Sequence, residues 1–256
     1  HTERLMMSNK GDQPTMERRK FIGGTIAAAG AVTIAPGVIL HAVAATEEKS
    51  EGASGKHRWG MVIDANKCAD GCSACVDACN QEHNLVGFDR PETDAAWIRT
   101  VKLKDKQTGH ITRMPMMCQH CEHPPCVDVC PTNASFKRVD GVVLVDRHRC
   151  IGCRYCMMAC PYKARSFVHE ALTEQSLSAP RGKGCVESCT LCVHRIDEGV
   201  MQTACQEACA NEGHAAILFG DLNDPNSEIS QELKKRNSTQ IRADLELNTG
   251  VRYFNL

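Results

Sequence analysis

The stretch Cys150-Ile151-Gly152-Cys153-Arg154-Tyr155-Cys156-Met157-Met158-Ala159-Cys160-Pro161 decides how this chain folds. Its four cysteines are separated by two, two and three residues, and a proline follows the last. Gaps that short let a tight loop bring three thiolates to one centre while backbone N–H groups face the same point. The fourth cysteine, three residues on, has entered a helix and points away from that centre. The proline then turns the chain out of the motif. Working outward, the pattern recurs three times. Cys118, Cys121, Cys126 and Cys130 have gaps of two, four and three residues and precede Pro131. Cys68, Cys72, Cys75 and Cys79 have gaps of three, two and three. Cys189 and Cys192 are two residues apart, then twelve residues lead to Cys205 and three more to Cys209. In chain order these are motifs I (from Cys68), II (from Cys118), III (from Cys150) and IV (from Cys189).

Sixteen of the 17 cysteines fall into these sets. Disulfide frameworks scatter their cysteines, and zinc sites use pairs separated by longer loops. Runs with two-, two- and three-residue gaps closed by proline are the bacterial ferredoxin pattern, in which the fourth cysteine ligates the other cluster of a pair. Four motifs therefore imply four [4Fe–4S] clusters in two cross-stitched 2[4Fe–4S] units of α+β class, with short β-hairpins and helices. The seventeenth cysteine, Cys185, lies three residues before Cys189, so Cys185-x3-Cys189-x2-Cys192 copies the start of motif I. Motif IV can be completed with Cys205 or with Cys185. Cys205 keeps the final x3 pair that every other motif has, which leaves Cys185 as a free or buried thiol.

The rest of the composition fits a chain whose centre is inorganic. Among 256 residues there are only 2 Trp, 3 Tyr and 6 Phe, a thin conventional core. The net charge of −1 implies no strongly basic surface and excludes nucleic acid as a partner. No pattern calls for an acid, base or nucleophile, so no catalytic residue is expected. Of the 11 histidines, His120, His123, His148 and His194 lie near cysteines; with sixteen thiolates available, supporting roles are expected of them. Met114, Met116, Met117, Met157 and Met158 are expected to pack around the clusters.

Before motif I, Arg18-Arg19-Lys20-Phe21-Ile22 has the form of a twin-arginine signal. An apolar run follows from Phe21 to Leu40, and Ala42-Val43-Ala44 resembles a cleavage site. Clusters are assembled in the cytoplasm, so such a cargo must fold before it crosses the membrane, which suits this export route. The run is about 20 residues, long enough to span a bilayer as a helix. Residues 1–45 are thus expected to remain as a transmembrane signal helix anchoring the protein at the outer, periplasmic face. Residues 46–56 read as a linker, 57–222 as the four-cluster domain and 223–256 as a C-terminal helix and tail. Strands are expected over Trp97–Lys104 and His110–Met117, and over Phe136–Val139 and Val142–Val145 around Asp140-Gly141. His57–Asp64 and Ala216–Phe219, strands just outside motifs I and IV, would bring those motifs together. Asp224-Pro225 should cap a helix running through Glu232.

With these motifs in order, the chain resembles the four-cluster ferredoxin-like subunits of membrane oxidoreductases. These include the dimethyl sulfoxide, polysulfide and tetrathionate reductase subunits and the NrfC type. The likeness runs from Arg58 to Ser230. Further marks are Thr190-Leu191-Cys192 with Arg195-Ile196, and Phe219-Gly220-Asp221 followed by Asp224-Pro225. The signal and Cys68-Ala69-Asp70-Gly71-Cys72 look most like the Dsr branch, also called Hme or Hdr-like menaquinol oxidoreductase. The resemblance implies that motif I pairs with IV and motif II with III. One cluster would then take Cys68, Cys72, Cys75 and Cys209, and another Cys189, Cys192, Cys205 and Cys79. A third would take Cys118, Cys121, Cys126 and Cys160, and the last Cys150, Cys153, Cys156 and Cys130. It also implies electron transfer in a respiratory complex of sulfur metabolism. One partner would be a polytopic NrfD-like quinone-interacting subunit, the other a multihaem cytochrome c or Hdr-like subunits. The alternatives are a molybdopterin catalytic partner or, remotely, an exported zinc- or disulfide-stapled binding protein. Two departures fall on the I/IV unit: the extra residue in the first gap of motif I, and Ala210 where Cys-Pro is common.

Overall fold

The computed structural model describes residues 53–173, 175 and 180–256, together with strands β1 (Val32–Ala35) and β2 (Val38–Leu40). The chain divides into two compact units, His1–Lys49 and Ser50–Leu256. In the first, β1 and β2 pair antiparallel, so these seven residues of the expected anchor are strand and not helix. The sequence there is rich in β-branched residues, Val32, Thr33, Ile34, Val38 and Ile39, a pattern that favours strand. The remainder of the signal segment, including Arg18 and Arg19, lies outside the described residues. Among the described residues no helix is long and apolar enough to cross a membrane.

The second unit is built on β3 (Trp59–Asp64), all six residues of which are buried. Motif I follows, ending in helix α1 (Ala74–Glu82). The hairpin β4 (Ile98–Lys104) and β5 (Ile111–Met117) leads into motif II and helix α2 (Pro125–Asp128). A second hairpin, β6 (Ser135–Lys137) and β7 (Val143–Val145), leads into motif III and helix α3 (Tyr155–Ala159). A third, β8 (Ser166–Phe167) and β9 (Val186–Glu187), leads into motif IV with helices α4 (Val193–Asp197) and α5 (Ala204–Asn211). Each motif thus follows a strand and runs through a helix; the fourth cysteine lies on the helix in motifs I and IV, whereas Cys130 and Cys160 lie just past theirs. The chain closes with β10 (Ile217–Asp221), α6 (Glu228–Lys235) and β11 (Val251–Phe254).

The expected strands before motif I and after motif IV do pair: β10 runs antiparallel to β3, with Ile217 opposite Ile63 and Asp221 opposite Trp59. β11 adds a partner on the other side, parallel to β3, with Val251 opposite Met61 and Phe254 opposite Asp64. Residues 223–256 are therefore more than a helix and tail, because their last strand completes the central sheet. The C-terminal helix also starts later than expected. Ser227 is its N-cap, its hydroxyl accepting from the Ser230 N–H at 3.3 Å. Asp224 instead accepts from the Asn226 N–H at 2.9 Å, which holds Pro225 in a turn before the helix.

The main core packs Trp59, Met61, Ile63, Trp97, Met114, Met117, Phe219 and Tyr253 with cysteines of motifs I, II, III and IV. A smaller core joins Val143 and Val186 to Cys126 and Cys156. Thiols take the place that aromatic residues fill elsewhere. Of the methionines, Met114 and Met117 are buried, whereas Met158 is 66% exposed, because α3 turns Cys156 inward and that side chain outward.

Candidate metal centres

Each motif makes the same backbone move. The residue immediately before the second cysteine is left-handed in all four: Gly71 (φ 79°), His120 (φ 43°), Gly152 (φ 70°) and Leu191 (φ 53°). A left-handed residue in a turn helps gather successive N–H groups into one concavity, the arrangement that receives anions and iron–sulfur clusters; in motif IV Cys192 (φ 50°) is left-handed as well. Motifs I and III meet this demand with glycine, which adopts the conformation without strain. At Gly152 nothing else fits, since a Cβ there would lie 2.2 Å from the Gly184 carbonyl oxygen. Gly152→Ala is expected to cost at least about 2 kcal/mol from the left-handed backbone and the clash together. Thermal unfolding and iron content of the variant check this, and an unchanged midpoint would contradict it.

The second determinant is a pair of helices. On α1, Cys75 and Cys79 are four residues apart and share a face; on α5, so do Cys205 and Cys209. The helices meet with those faces in opposite order. Cys75 is beside Cys209, and Cys79 is beside Cys205. Around the first pair gather Cys68 and Cys72, and these two line one cavity with Cys75, Cys209, Met114 and Ile217. Around the second pair gather Cys189 and Cys192. Motif I thus reaches motif IV through its last cysteine, and the reverse holds.

Arg195 braces this junction. Its guanidinium grips Glu82 at the end of α1 with two bonds, 2.6 and 2.7 Å, and reaches Glu207 on α5 at 2.8 Å. His194 adds a 2.7 Å contact to the same Glu82. Arg195, with His194 beside it, holds the Glu82 carboxyl at about 2, against the opposing effect of burial. Glu82→Ala leaves a half-buried guanidinium with one partner fewer, an expected loss of about 2 kcal/mol, between exposed and fully buried pairs. Chemical denaturation measures it; a change below about 0.5 kcal/mol would place this pair with ordinary surface bridges.

Motifs II and III meet in the same reciprocal way. Cys118, Cys121, Cys126 and Cys160 line a second cavity together with Pro124, Val143 and Arg165. Cys150, Cys156 and Cys130 form the remaining neighbourhood. Cys153 is exposed in the same loop. Cys185 is buried on this side, its thiol donating to the Arg147 carbonyl at 3.3 Å beside Cys150. It is Cys205, not Cys185, that the fold brings to Cys192 and Cys79.

The thiols are prepared for metal. Backbone N–H groups point at sulfur from Ser135 to Cys130 (3.3 Å), Val186 to Cys150 (3.4 Å) and Ala216 to Cys209 (3.3 Å). Burial, then crowding by neighbouring cysteines, pushes Cys68 up to about 11 and Cys75 to about 12. Burial likewise pushes Cys118 and Cys205 to about 12. Such thiols ionise when a metal supplies the compensating charge, so loading releases protons. All seventeen cysteines are unpaired, and among the described residues no three His, Cys, Asp or Glu side chains are arranged to hold a single metal ion. Sets of four cysteines, with backbone N–H groups donating to Cys130, Cys150 and Cys209, suit a cubane.

The histidines support the frame. Val143 N–H donates to His120 Nδ1 at 3.0 Å, and burial, helped by Arg165, pushes that imidazole down to about 3. His123 and His148 are exposed. Three residues carried no motif in the sequence yet sit among the thiols. His83 is buried between Trp97 and Cys192, its Nε2 3.7 Å from that sulfur. Tyr253 on β11 is fully buried, and Arg165 lies between motifs II and III. His83 follows a cysteine motif at helix distance, a weak signal; the other two had none.

Two family models match, both for a 4Fe-4S dicluster domain, over residues 67–134 and 109–221. The Hdr-like menaquinol oxidoreductase iron-sulfur subunit 1 of Archaeoglobus fulgidus is 43% identical, covering 94% of this chain and 98% of its own length. A putative dimethyl sulfoxide reductase iron-sulfur subunit of Halobacterium salinarum is 36% identical, over 77% of this chain and 79% of its own. The protein NrfC of Escherichia coli is 37% identical, over 70% and 72%. Two dicluster domains account for four [4Fe–4S] clusters, and the chain belongs to the family of ferredoxin-like iron–sulfur electron-transfer subunits.

Proposed function

We propose that this chain is the electron-transfer iron–sulfur subunit of a membrane-bound respiratory complex of the Hdr-like menaquinol oxidoreductase (Dsr, Hme) type. In that role it relays electrons between a polytopic NrfD-like quinone-interacting subunit and a multihaem cytochrome c or Hdr-like subunits. The observation that carries this reading is the opposed order of Cys75/Cys79 and Cys209/Cys205 on α1 and α5, which fuses two thiol sets into one continuous unit. The near full-length likeness to the Archaeoglobus fulgidus subunit supports the choice of complex. Residues 18–22 support export by the twin-arginine route to the outer face of the membrane.

The ligand sets that go with this reading are Cys68, Cys72, Cys75 and Cys209; Cys189, Cys192, Cys205 and Cys79; Cys118, Cys121, Cys126 and Cys160; and Cys150, Cys153, Cys156 and Cys130. Bound clusters supply one-electron storage at potentials that protein environments set anywhere within roughly −700 to +450 mV. The chain's residues space the sets, bury them and donate N–H bonds to sulfur. Affinity purification of the tagged chain from its native membranes tests the reading. A polytopic membrane protein and c-type haem absorbance should come with it, whereas a molybdopterin subunit without haem would overturn it. Arg18→Lys/Arg19→Lys should strand the protein in the cytoplasm, and export of that variant would refute the route.

A further inference from the structure

Arg165 is only 5% exposed, and it is held differently from Arg181 and Arg138. Arg181 makes a two-pronged pair with Glu187 at 2.7–3.2 Å, and Arg138 lies between Asp140 and Asp197 at 2.7–3.2 Å. Arg165 makes no ion pair with a carboxylate among the described residues. Its Nη2 donates to Cys126 Sγ at 3.1 Å and to Ser135 Oγ at 2.8 Å. The Cys156 and Cys118 thiols also lie close to the guanidinium. Its Nε and Nη1 are buried and have no protein partner.

Burying a guanidinium without a counter-charge costs several kcal/mol, so a fold that does so implies an anion at that place. The groups around this one are thiols of two different sets. Cys126 belongs with Cys118, Cys121 and Cys160; Cys156 belongs with Cys150, Cys153 and Cys130. Ser135 extends the link, since its N–H donates to Cys130 Sγ at 3.3 Å while its hydroxyl accepts from Arg165. A cubane core of formal charge two-plus with four thiolates is a dianion, and one-electron reduction adds another negative charge. Two such anions side by side oppose each other's reduction, and a cation between them relieves that opposition.

We propose that Arg165 is a positioning residue serving as the built-in counter-cation of the II/III pair, raising the reduction potentials of both clusters that Cys126 and Cys156 ligate. Its unpartnered N–H groups are donors left for the clusters themselves. The inference rests on the ligand sets proposed above, and the test separates the two.

The experiment is a redox titration, followed by electron paramagnetic resonance, of the purified full chain with its four clusters loaded. Parent, Arg165→Met and Arg165→Gln are compared, the last keeping a neutral donor toward Cys126. Each loaded neutral variant should show two clusters with midpoints lowered by a tenfold or greater change in the reduced-to-oxidised ratio, about 59 mV for a one-electron couple. The other two clusters should be unmoved, and Arg165→Lys should recover most of the shift. If Arg165→Met does not load, Arg165→Gln alone decides. Unchanged potentials in a loaded variant, or an equal shift of all four clusters, would overturn the proposal. Cys126→Ser and Cys156→Ser identify which signals belong to the two clusters. If these change two distinct signals that the Arg165 variants leave alone, the ligand sets stand and the counter-cation fails. If Arg165 moves signals that neither cysteine variant touches, the ligand sets fail and the proposal goes with them.

Discussion

Replacing Cys209 with serine is expected to remove iron from the site of motif I and to spare the site of motif IV, although Cys209 belongs to motif IV in the sequence. The expectation follows from the two helices. Cys209 is beside Cys75 and Cys68 and lines their cavity, while Cys205, one turn earlier on α5, is with Cys192 and Cys79. Loss of a buried ligand leaves three thiolates in a pocket built for four. A cubane so held should be lost or degraded, lowering cluster iron by up to roughly a quarter, one cluster in four. The decisive comparison is a double-mutant cycle read by iron content and spectroscopy. Cys72→Ser and Cys209→Ser should alter the same signal, and the double variant should be no worse than either single one, as for residues serving one unit. Cys192→Ser and Cys209→Ser should add. If Cys209→Ser disturbs the signal that Cys192→Ser disturbs, the cross-stitching is wrong for this unit. Cys79→Ser gives the reciprocal result, with its loss on the motif IV side.

Much of this site is legible in the sequence because short gaps leave a thiolate loop few conformations. The spacing locates all four motifs, and the repeated final x3 pair singles out Cys205 over Cys185. The strands flanking motifs I and IV are readable as apolar runs with turns beyond them. Other features depend on contacts that leave no local trace. Val251-Arg252-Tyr253-Phe254 is a short apolar stretch whose partner, β3, lies far back in the chain, and only the packed structure joins them. Arg165 follows Lys163-Ala164 in what reads as ordinary basic sequence; its meaning comes from Cys126 and Ser135 on another segment. The apolar run before the linker is long enough for a helix, but its β-branched residues pair as β1 and β2 where the structure describes them.

Deleting Val251–Leu256 is expected to abolish the folded four-cluster unit, although none of those residues is a proposed ligand. The deletion removes the parallel partner of β3 and empties the space of Val251, Tyr253 and Phe254, which are 0%, 0% and 3% exposed. Tyr253 is the most connected of them. Its hydroxyl donates to the Pro115 carbonyl at 3.1 Å on β5 and meets Gln119 Nε2 at 3.3 Å, tying the central sheet to the strand that delivers motif II. Its backbone exchanges two bonds with Thr239 at 2.7 and 3.0 Å. Asn255 donates to Asp64 at 2.7 Å, the residue that caps the turn before Cys68. Truncating a buried aromatic costs about 3–5 kcal/mol, so two of them with a valine and the strand bonds reach roughly 10 kcal/mol. That equals most of the stability of an ordinary domain. The truncated chain should accumulate as insoluble, colourless protein. Tyr253→Ala should lower stability by about 4 kcal/mol while still loading clusters when grown cold, and Tyr253→Phe should lose only about 1 kcal/mol with the hydroxyl. The gradient across the three variants separates a packing role from a general intolerance of change at this end. A truncated protein carrying four clusters' worth of iron, with an unfolding midpoint within a few degrees of the parent, would show that the sheet stands on β3 and β10 alone.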